Sequence, residues 1–219
     1  MPQCMNCGKK GFLLSLDQNG LCNACQAIIG SEVVQRVRII QESQELVKKS
    51  TNFRTRLSRL DLIISQLEHL IKYEEKGIAI IQPSAKEISQ NTISQRQQSI
   101  DDEIHRIYDS ALQKSGLAGT PSSKISPLLK AIDLLGQLKL LGESELIQSR
   151  EQSLKTRINW VKFNDIEEKA RRAEFKGNSA KALSYYQDAL FHLLNDEIPD
   201  EKQNEKIHEI RQKIDSLKK

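Results

Sequence analysis

Four cysteines in the first 25 residues are the part of this 219-residue sequence best suited to chemistry: Cys4-x2-Cys7 and Cys22-x2-Cys25, fourteen residues apart, with no cysteine elsewhere. A tetrahedral zinc ion needs sulfur ligands a few ångströms apart, and two residues between cysteines let one tight turn present both sulfurs. Gly8 after the first pair and Asn19-Gly20 before the second suit the left-handed backbone of such turns. Two disulfides in a secreted mini-domain are the alternative. That arrangement calls for an apolar leader, whereas Met1 here leads directly into the cysteines. The expectation is Zn2+ held by Cys4, Cys7, Cys22 and Cys25. Four thiolates fill a tetrahedral shell and catalytic zinc keeps a position open, so the ion is expected to be structural. It would replace a hydrophobic core that about thirty residues cannot build.

The remainder of the chain must position this head. With 28 % charged residues, 5 % aromatic residues and apolar content led by Leu and Ile, the composition favours elongated helices over a thick globular core. Ser31 to Lys76 contains no proline or glycine. Leu46, Phe53, Leu60 and Leu67 share one heptad position, and Ser50, Leu57, Ile64 and Ile71 share its partner. This predicts one helix of about fifty residues with a coiled-coil seam, stopped at Gly77. Ser84-x-x-Glu87 then predicts a capped helix over about 85–114, with Ile93, Ile100 and Ile107 on one position and Gln97, Ile104 and Ala111 on the other. A short turn folds the two helices back on each other. Thirty residues cannot cover fifty, so the stretch around Val33, Val37 and Ile40 is expected to meet the C-terminal half or a second copy of the chain, and a homodimer is the preferred expectation.

Gly116, Gly119, Thr120-Pro121, Ser122-Ser123 and Pro127 predict a linker, with Ser126-Pro127 starting the next helix. Gly142 and Gly177-Asn178-Ser179 break the helices that follow, and an Asp200-x-x-Gln203 box would start the last one at about Glu201. The expected architecture is mainly α: a zinc ribbon (1–28), a long antiparallel helical hairpin of coiled-coil type (29–115), a linker (116–126) and a C-terminal helical domain (127–219). No apolar run approaches eighteen residues, so no membrane span is expected, and reduced thiolates suit a cytoplasmic location.

Cys4-Met5-Asn6-Cys7-Gly8 and Leu21-Cys22-Asn23-Ala24-Cys25 resemble the opening and close of a GATA-type zinc finger, over about residues 4–28. The resemblance implies a short ribbon packed on a helix that enters at about Cys22. The chain departs from that family in two ways: Phe12-Leu13-Leu14-Ser15-Leu16-Asp17 stands where the family carries a T-P-L-W-R-type motif, and the basic tail after the last cysteine is missing. With Gly8-Lys9-Lys10-Gly11 and Leu14-x-Leu16, the segment is more similar to zinc ribbons at the N-termini of bacterial and phage proteins of uncertain role, which implies no activity. Lys181-Ala182-Leu183-x2-Tyr186-x2-Ala189-Leu190, with Ala170 twelve residues before Ala182, resembles the second half of a tetratricopeptide repeat. The departures here are Lys169 at the family's usual leucine, Ala173 at its usual aromatic and Leu194 at its closing proline. The resemblance implies a protein-binding helical hairpin, and a lone hairpin packed on its neighbours is the plainer alternative.

No constellation predicts catalysis. His69, His105, His192 and His208 are scattered without ligand spacing, no thiol remains free, and no glycine-rich loop follows a strand. The expectation is a non-enzymatic scaffold that holds a protein partner. The alternative is a nucleic-acid-binding accessory or regulatory protein, because Lys48, Lys49, Arg54, Arg56 and Arg59 form a stretch free of carboxylates. On a continuous helix Lys48, Arg56 and Arg59 would lie together, with Lys49 at their edge, where they could track phosphates. No aromatic except Phe53 is interleaved to stack a base. The net charge of +4 demands neither class.

Overall fold

The computed structural model describes residues 1–142, 144–196 and 198–218. The expected C-terminal domain, 127–219, therefore includes residues 143, 197 and 219, which lie outside the described residues. The chain is mainly α, with seven helices and no named strand among the described residues. It divides into two compact units, Met1–Glu103 and Ile104–Lys219. The first holds the N-terminal loops, α1 (Asn23–Lys49), α2 (Phe53–Glu74) and the start of α3 (Ala85–Leu117); the second holds the rest of α3, α4 (Pro121–Leu138), α5 (Glu145–Phe175), α6 (Ser179–Leu194) and α7 (Asn204–Leu217). No described helix is long and apolar enough to cross a membrane.

The single fifty-residue helix expected from the heptads is two helices. Ser50, Thr51 and Asn52 interrupt it, and two of their side chains bond nearby backbone: the Ser50 hydroxyl accepts from Asn52 N at 3.2 Å, and Asn52 Oδ1 caps α2 by accepting from Thr55 N at 3.0 Å. The interruption resets the helical phase. Leu46, counted on the seam, is 41 % exposed, whereas Leu57, Leu60, Ile63, Leu67 and Leu70 form the buried stripe of α2. The turn lays α1 against α2, so Val33, Val37 and Ile40 pack with Ile63, Leu67 and Leu70. The uncovered stretch that suggested a second copy of the chain is thus covered from within.

Helix α2 ends as Gly77 predicts. Gly77 has φ +80°, and Ile78 N reaches back to Tyr73 O at 3.1 Å, satisfying a terminal carbonyl. Helix α3 has two caps. Ser84 Oγ accepts from Glu87 N at 3.2 Å, and the Glu74 carboxylate accepts from Ala85 N at 2.6 Å and Lys86 N at 3.2 Å. The N-terminal half of α3 buries small polar residues, Ser89, Thr92 and Ser99, rather than Ile93, which is 51 % exposed. The Thr92 and Ser99 hydroxyls donate to backbone carbonyls one turn earlier, so their burial leaves these donors satisfied.

In the second unit the expected linker is mostly helix, with only residues 118–120 lying between α3 and α4. Thr120, not Ser126, is the N-cap: its hydroxyl and that of Ser123 exchange bonds with each other's backbone, and Pro121 takes the first position, where it lacks no needed donor. Pro127 lies inside α4. The Asp200-x-x-Gln203 box is likewise not formed. Asp200–Lys202 make a 3-10 turn, and Gln203 is buried with its amide donating to Leu193 O, Asp196 Oδ1 and Ile198 O at 3.0–3.1 Å. Gln203 stands instead at the N-cap position of α7, with its side chain bonded inward and making no capping bond.

The core of this unit lies along α5. Phe163, Ala170 and Ala173 meet Ala182, Tyr186, Ala189 and Leu193 of α6 and Ile207, Ile210 and Ile214 of α7. Four alanines let α5 and α6 approach closely, and Tyr186, 1 % exposed, fills the space beyond them. Its hydroxyl donates to Glu174 Oε2 at 2.8 Å and, against the opposing effect of burial, holds the carboxyl below its ordinary value of 4.5, assisted by Lys213 at 3.2 Å. A carboxyl depressed in the folded state contributes stability that is present above its unfolded value and is lost as pH falls through the folded value. The melting temperature of the wild type is therefore expected to fall more steeply than that of Glu174→Gln when pH is lowered from neutral to below 4.5. Parallel curves would remove Glu174 from the account.

Candidate functional site

The four cysteines converge because each knuckle is closed by backbone bonds. Cys4 N donates to Lys9 O and Gly8 N donates to Cys4 O, both at 2.9 Å, turning the chain between Cys4 and Cys7. Before the second pair, Asp17 Oδ1 accepts from Asn19 N at 2.9 Å and Leu21 N at 2.8 Å. Cys22 is the N-cap of α1, which places Cys25 in its first turn. The expected ribbon is reduced to two isolated bridges, Gln3 with Lys10 and Leu16 with Cys22.

All four sulfurs lie within 4.8 Å of one another, and Cys7 Sγ and Cys22 Sγ are 3.9 Å apart. A tetrahedral ion with metal–sulfur bonds of about 2.3 Å separates its sulfurs by about 3.8 Å, close to the Cys7–Cys22 separation, so the group can hold a metal ion. The surrounding donors suit thiolates: Cys22 N points to Cys4 Sγ at 3.4 Å and Asn6 Nδ2 to Cys25 Sγ at 3.6 Å. Lys76 Nζ donates to Asn6 Oδ1 at 3.0 Å and fixes the amide orientation.

The thiols do not ionise equally. Backbone N–H groups of Cys7 and Cys22 lower the Cys4 thiol to about 6. At Cys25 the Asn6 amide pulls the thiol down, but the sulfurs of Cys22, Cys7 and Cys4, together with burial, outweigh it and push the value up to about 12. Four adjacent thiolates repel one another, and a dication among them supplies the charge that lets all four ionise.

The cysteine group is seated on the end of the α1–α2 hairpin. Leu21, Ile29 and Ile78 are buried with Cys4, Cys22 and Cys25, and Val33, Tyr73 and Ile80 pack against them. Met5 lies between two glycines: a Cβ on Gly20 would come within 2.7 Å of its Sδ, and a Cβ on Gly77 within 2.9 Å of its Cε. Tyr73 OH donates to Glu32 Oε2 at 2.6 Å, and Arg36 donates to Glu32 Oε1 at 2.8 Å and to Gln66 Oε1 at 2.7 Å, tying α1 to α2 just behind the head. The spacing of the cysteines predicts the group itself. The supporting residues Asn6, Asp17, Lys76 and Met5 carry no spacing signal of their own.

Of the four basic residues expected to lie together, the structure brings two to one place. Lys48 and Arg56 line a cleft of about 620 Å³ at the α1–α2 turn; Lys49 and Arg59 do not line it. The turn at Ser50–Asn52, rather than a continuous helical face, makes this pairing. A second cleft, of about 830 Å³, runs between α4, α5 and α6 and exposes Ile125, Leu129 and Ile166 beside Lys162 and His192. A smaller one adjoins it, sharing Leu129, Lys162 and His192. Among the described residues the cysteines form the one group with metal-ligand geometry. The histidines have separate surroundings: His192 Nε2 is 3.1 Å from Asn159 O, and His105 Nδ1 is 3.4 Å from Arg150.

Comparison of the chain with family models, with curated proteins and with solved structures finds no match.

Proposed function

We propose that this protein is a non-enzymatic scaffold of the reduced cytoplasm, in which a structural zinc ion fixes the N-terminal head and the helical C-terminal unit holds a protein partner. An all-sulfur tetrahedral donor set favours zinc or an iron–sulfur centre, and one compact cage closed by backbone N–H groups suits a single zinc ion. With all four positions filled by protein, that ion has no place for substrate. The α5–α6 hairpin is read as tetratricopeptide-like. Buried Ala170, Ala182 and Ala189 and the interposed Tyr186 support this reading.

The observation that carries the scaffold reading is the open cleft between α4, α5 and α6. Leu129 in its lining is 54 % exposed, and an apolar side chain in a concave setting is a place for a partner's side chains to lose water. Leu129→Asp is expected to weaken capture of the partner by roughly tenfold or more. Leu140→Asp serves as the control, since Leu140 is 89 % exposed and does not line the cleft. The measurement is paired affinity capture with wild type and both variants, followed by titration of the purified captured protein. Equal capture by all three would remove the cleft as the partner site.

A further inference from the structure

We infer that the cleft at the α1–α2 turn is a phosphate-binding site, a function separate from the C-terminal cleft and not dependent on it. Its polar lining consists of Lys48, Arg56, Gln44, Gln95, Gln98, Ser50 and Ser99, and among the described residues no carboxylate lines it. The cleft thus offers two cations and the side-chain amides of Gln44 and Gln95 around a lining that includes Leu60 and Ile63, while the Gln98 amide donates to Asp102 Oδ1 at 2.8 Å. Tetrahedral oxyanions are recognised by charged forks and amide donors converging on one volume, and about 620 Å³ leaves ample room for a phosphoryl group.

Arg56 is positioned in advance. Its Nη2 donates to Ser99 Oγ at 3.2 Å, and Ser99 is 4 % exposed and anchored by donating to Gln95 O at 2.9 Å. Among the described residues Arg56 Nε is buried with no protein partner, so the guanidinium has not spent its full bonding capacity on the fold. Among the described residues Lys48 is held by Glu45 alone, at 3.2 Å, with both side chains more than half exposed. Such a pair contributes little, and Lys49 also reaches Glu45, at 3.8 Å, so Lys48 can turn to an anion without leaving the carboxylate alone. The C-terminus of α1 disfavours an anion and the N-terminus of α2 favours one. These opposing helix ends offset each other and leave the choice to the side chains.

Inorganic phosphate binds the same chemistry whether the natural source is a free phosphate, a phosphomonoester or a nucleic-acid backbone. The test is titration of the full zinc-loaded chain with inorganic phosphate at low ionic strength, followed by phosphorus nuclear magnetic resonance. The variants are Lys48→Gln, Arg56→Gln and Arg54→Gln. Arg54 supplies the same charge change from outside the cleft, and Lys48→Gln remains informative if Arg56→Gln disturbs folding through Ser99. Saturable binding weakened roughly tenfold or more in Lys48→Gln and Arg56→Gln, and by less than about twofold in Arg54→Gln, is expected. Absence of saturable binding, or equal weakening in Arg54→Gln and Lys48→Gln, would overturn the site. With binding established, displacement by a short single-stranded oligonucleotide assigns the phosphodiester source, and resistance to displacement assigns a free phosphate or monoester.

Discussion

Cys22→Ser is expected to release the metal, expose residues 1–30 to protease and amide exchange, and leave most of the helical signal intact. The helical signal persists because α2 to α7 contain no ligand and α1 contains one, Cys25, in its first turn. The damage is nonetheless large at the head. Leu21, Ile29 and Ile78 lose their cover together, at about 1.5–3 kcal/mol for each side chain returned to water. Structural thiolate sites contribute their binding energy directly to folding, so a chelator should produce the same loss in the wild type. Acid should do so as well, since protons compete with the metal for every sulfur. An unchanged protease pattern after chelation would show that the head folds on its side-chain contacts alone.

Phe163→Ala is expected to be the most damaging single change in the second unit. Phe163 is 1 % exposed, meets Trp160 edge to face with ring centroids 5.6 Å apart, and lies 5.7 Å beneath the Lys206 ammonium. Its truncation opens a cavity where α5 faces α7 and should cost about 3–5 kcal/mol. The same place holds Glu167, 7 % exposed and paired with Lys206 at 2.8 Å and Arg171 at 2.9 Å. A shift of α7 would separate the Lys206 pair and leave a buried carboxylate undercompensated. Hydrogen exchange should show loss of protection across α5, α6 and α7 with the cysteine head still protected. Uniform loss across both units would mean that they unfold as one.

The metal-ligand group and the helical class were legible because each rests on a local rule: cysteine spacing in one case, apolar periodicity in the other. Gly77 was legible for the same reason, since a glycine at the end of a periodic stretch marks a left-handed terminus. The break after Lys49 was missed because it contains neither glycine nor proline. Ser50-Thr51-Asn52 is its signal, with the Ser50 and Asn52 side chains bonding nearby backbone, and the heptad pattern runs straight through it. Reading the helix as continuous placed Leu46 in the seam and left Val33 to Ile40 uncovered. In the folded chain the turn that exposes Leu46 is what covers Ile40.

The boundary at 116–126 misled in the opposite direction. Glycine and proline are abundant there, but Thr120 and Ser123 form a capping box that uses Pro121 as a first helical residue, so helix resumes almost at once. The partners of Glu74 and Gln203 were not legible at all. Glu74 receives amides from a helix that begins eleven residues later, and Gln203 bonds carbonyls from the end of α6. Both depend on where the chain has already folded. A continuous helical face would group Lys48 with Arg56 and Arg59 and set Lys49 at their edge, whereas the folded chain brings Lys48 and Arg56 to one cleft through the turn and leaves Arg59 and Lys49 out of it.

The most direct test of the central claim, that the four cysteines hold one structural zinc ion, is the metal content of the full-length protein, measured by native mass spectrometry together with elemental analysis. The expected result is one zinc per chain in the wild type and none in Cys22→Ser. A wild-type protein that folds with no metal, or whose stoichiometric metal is iron with inorganic sulfide, would contradict it.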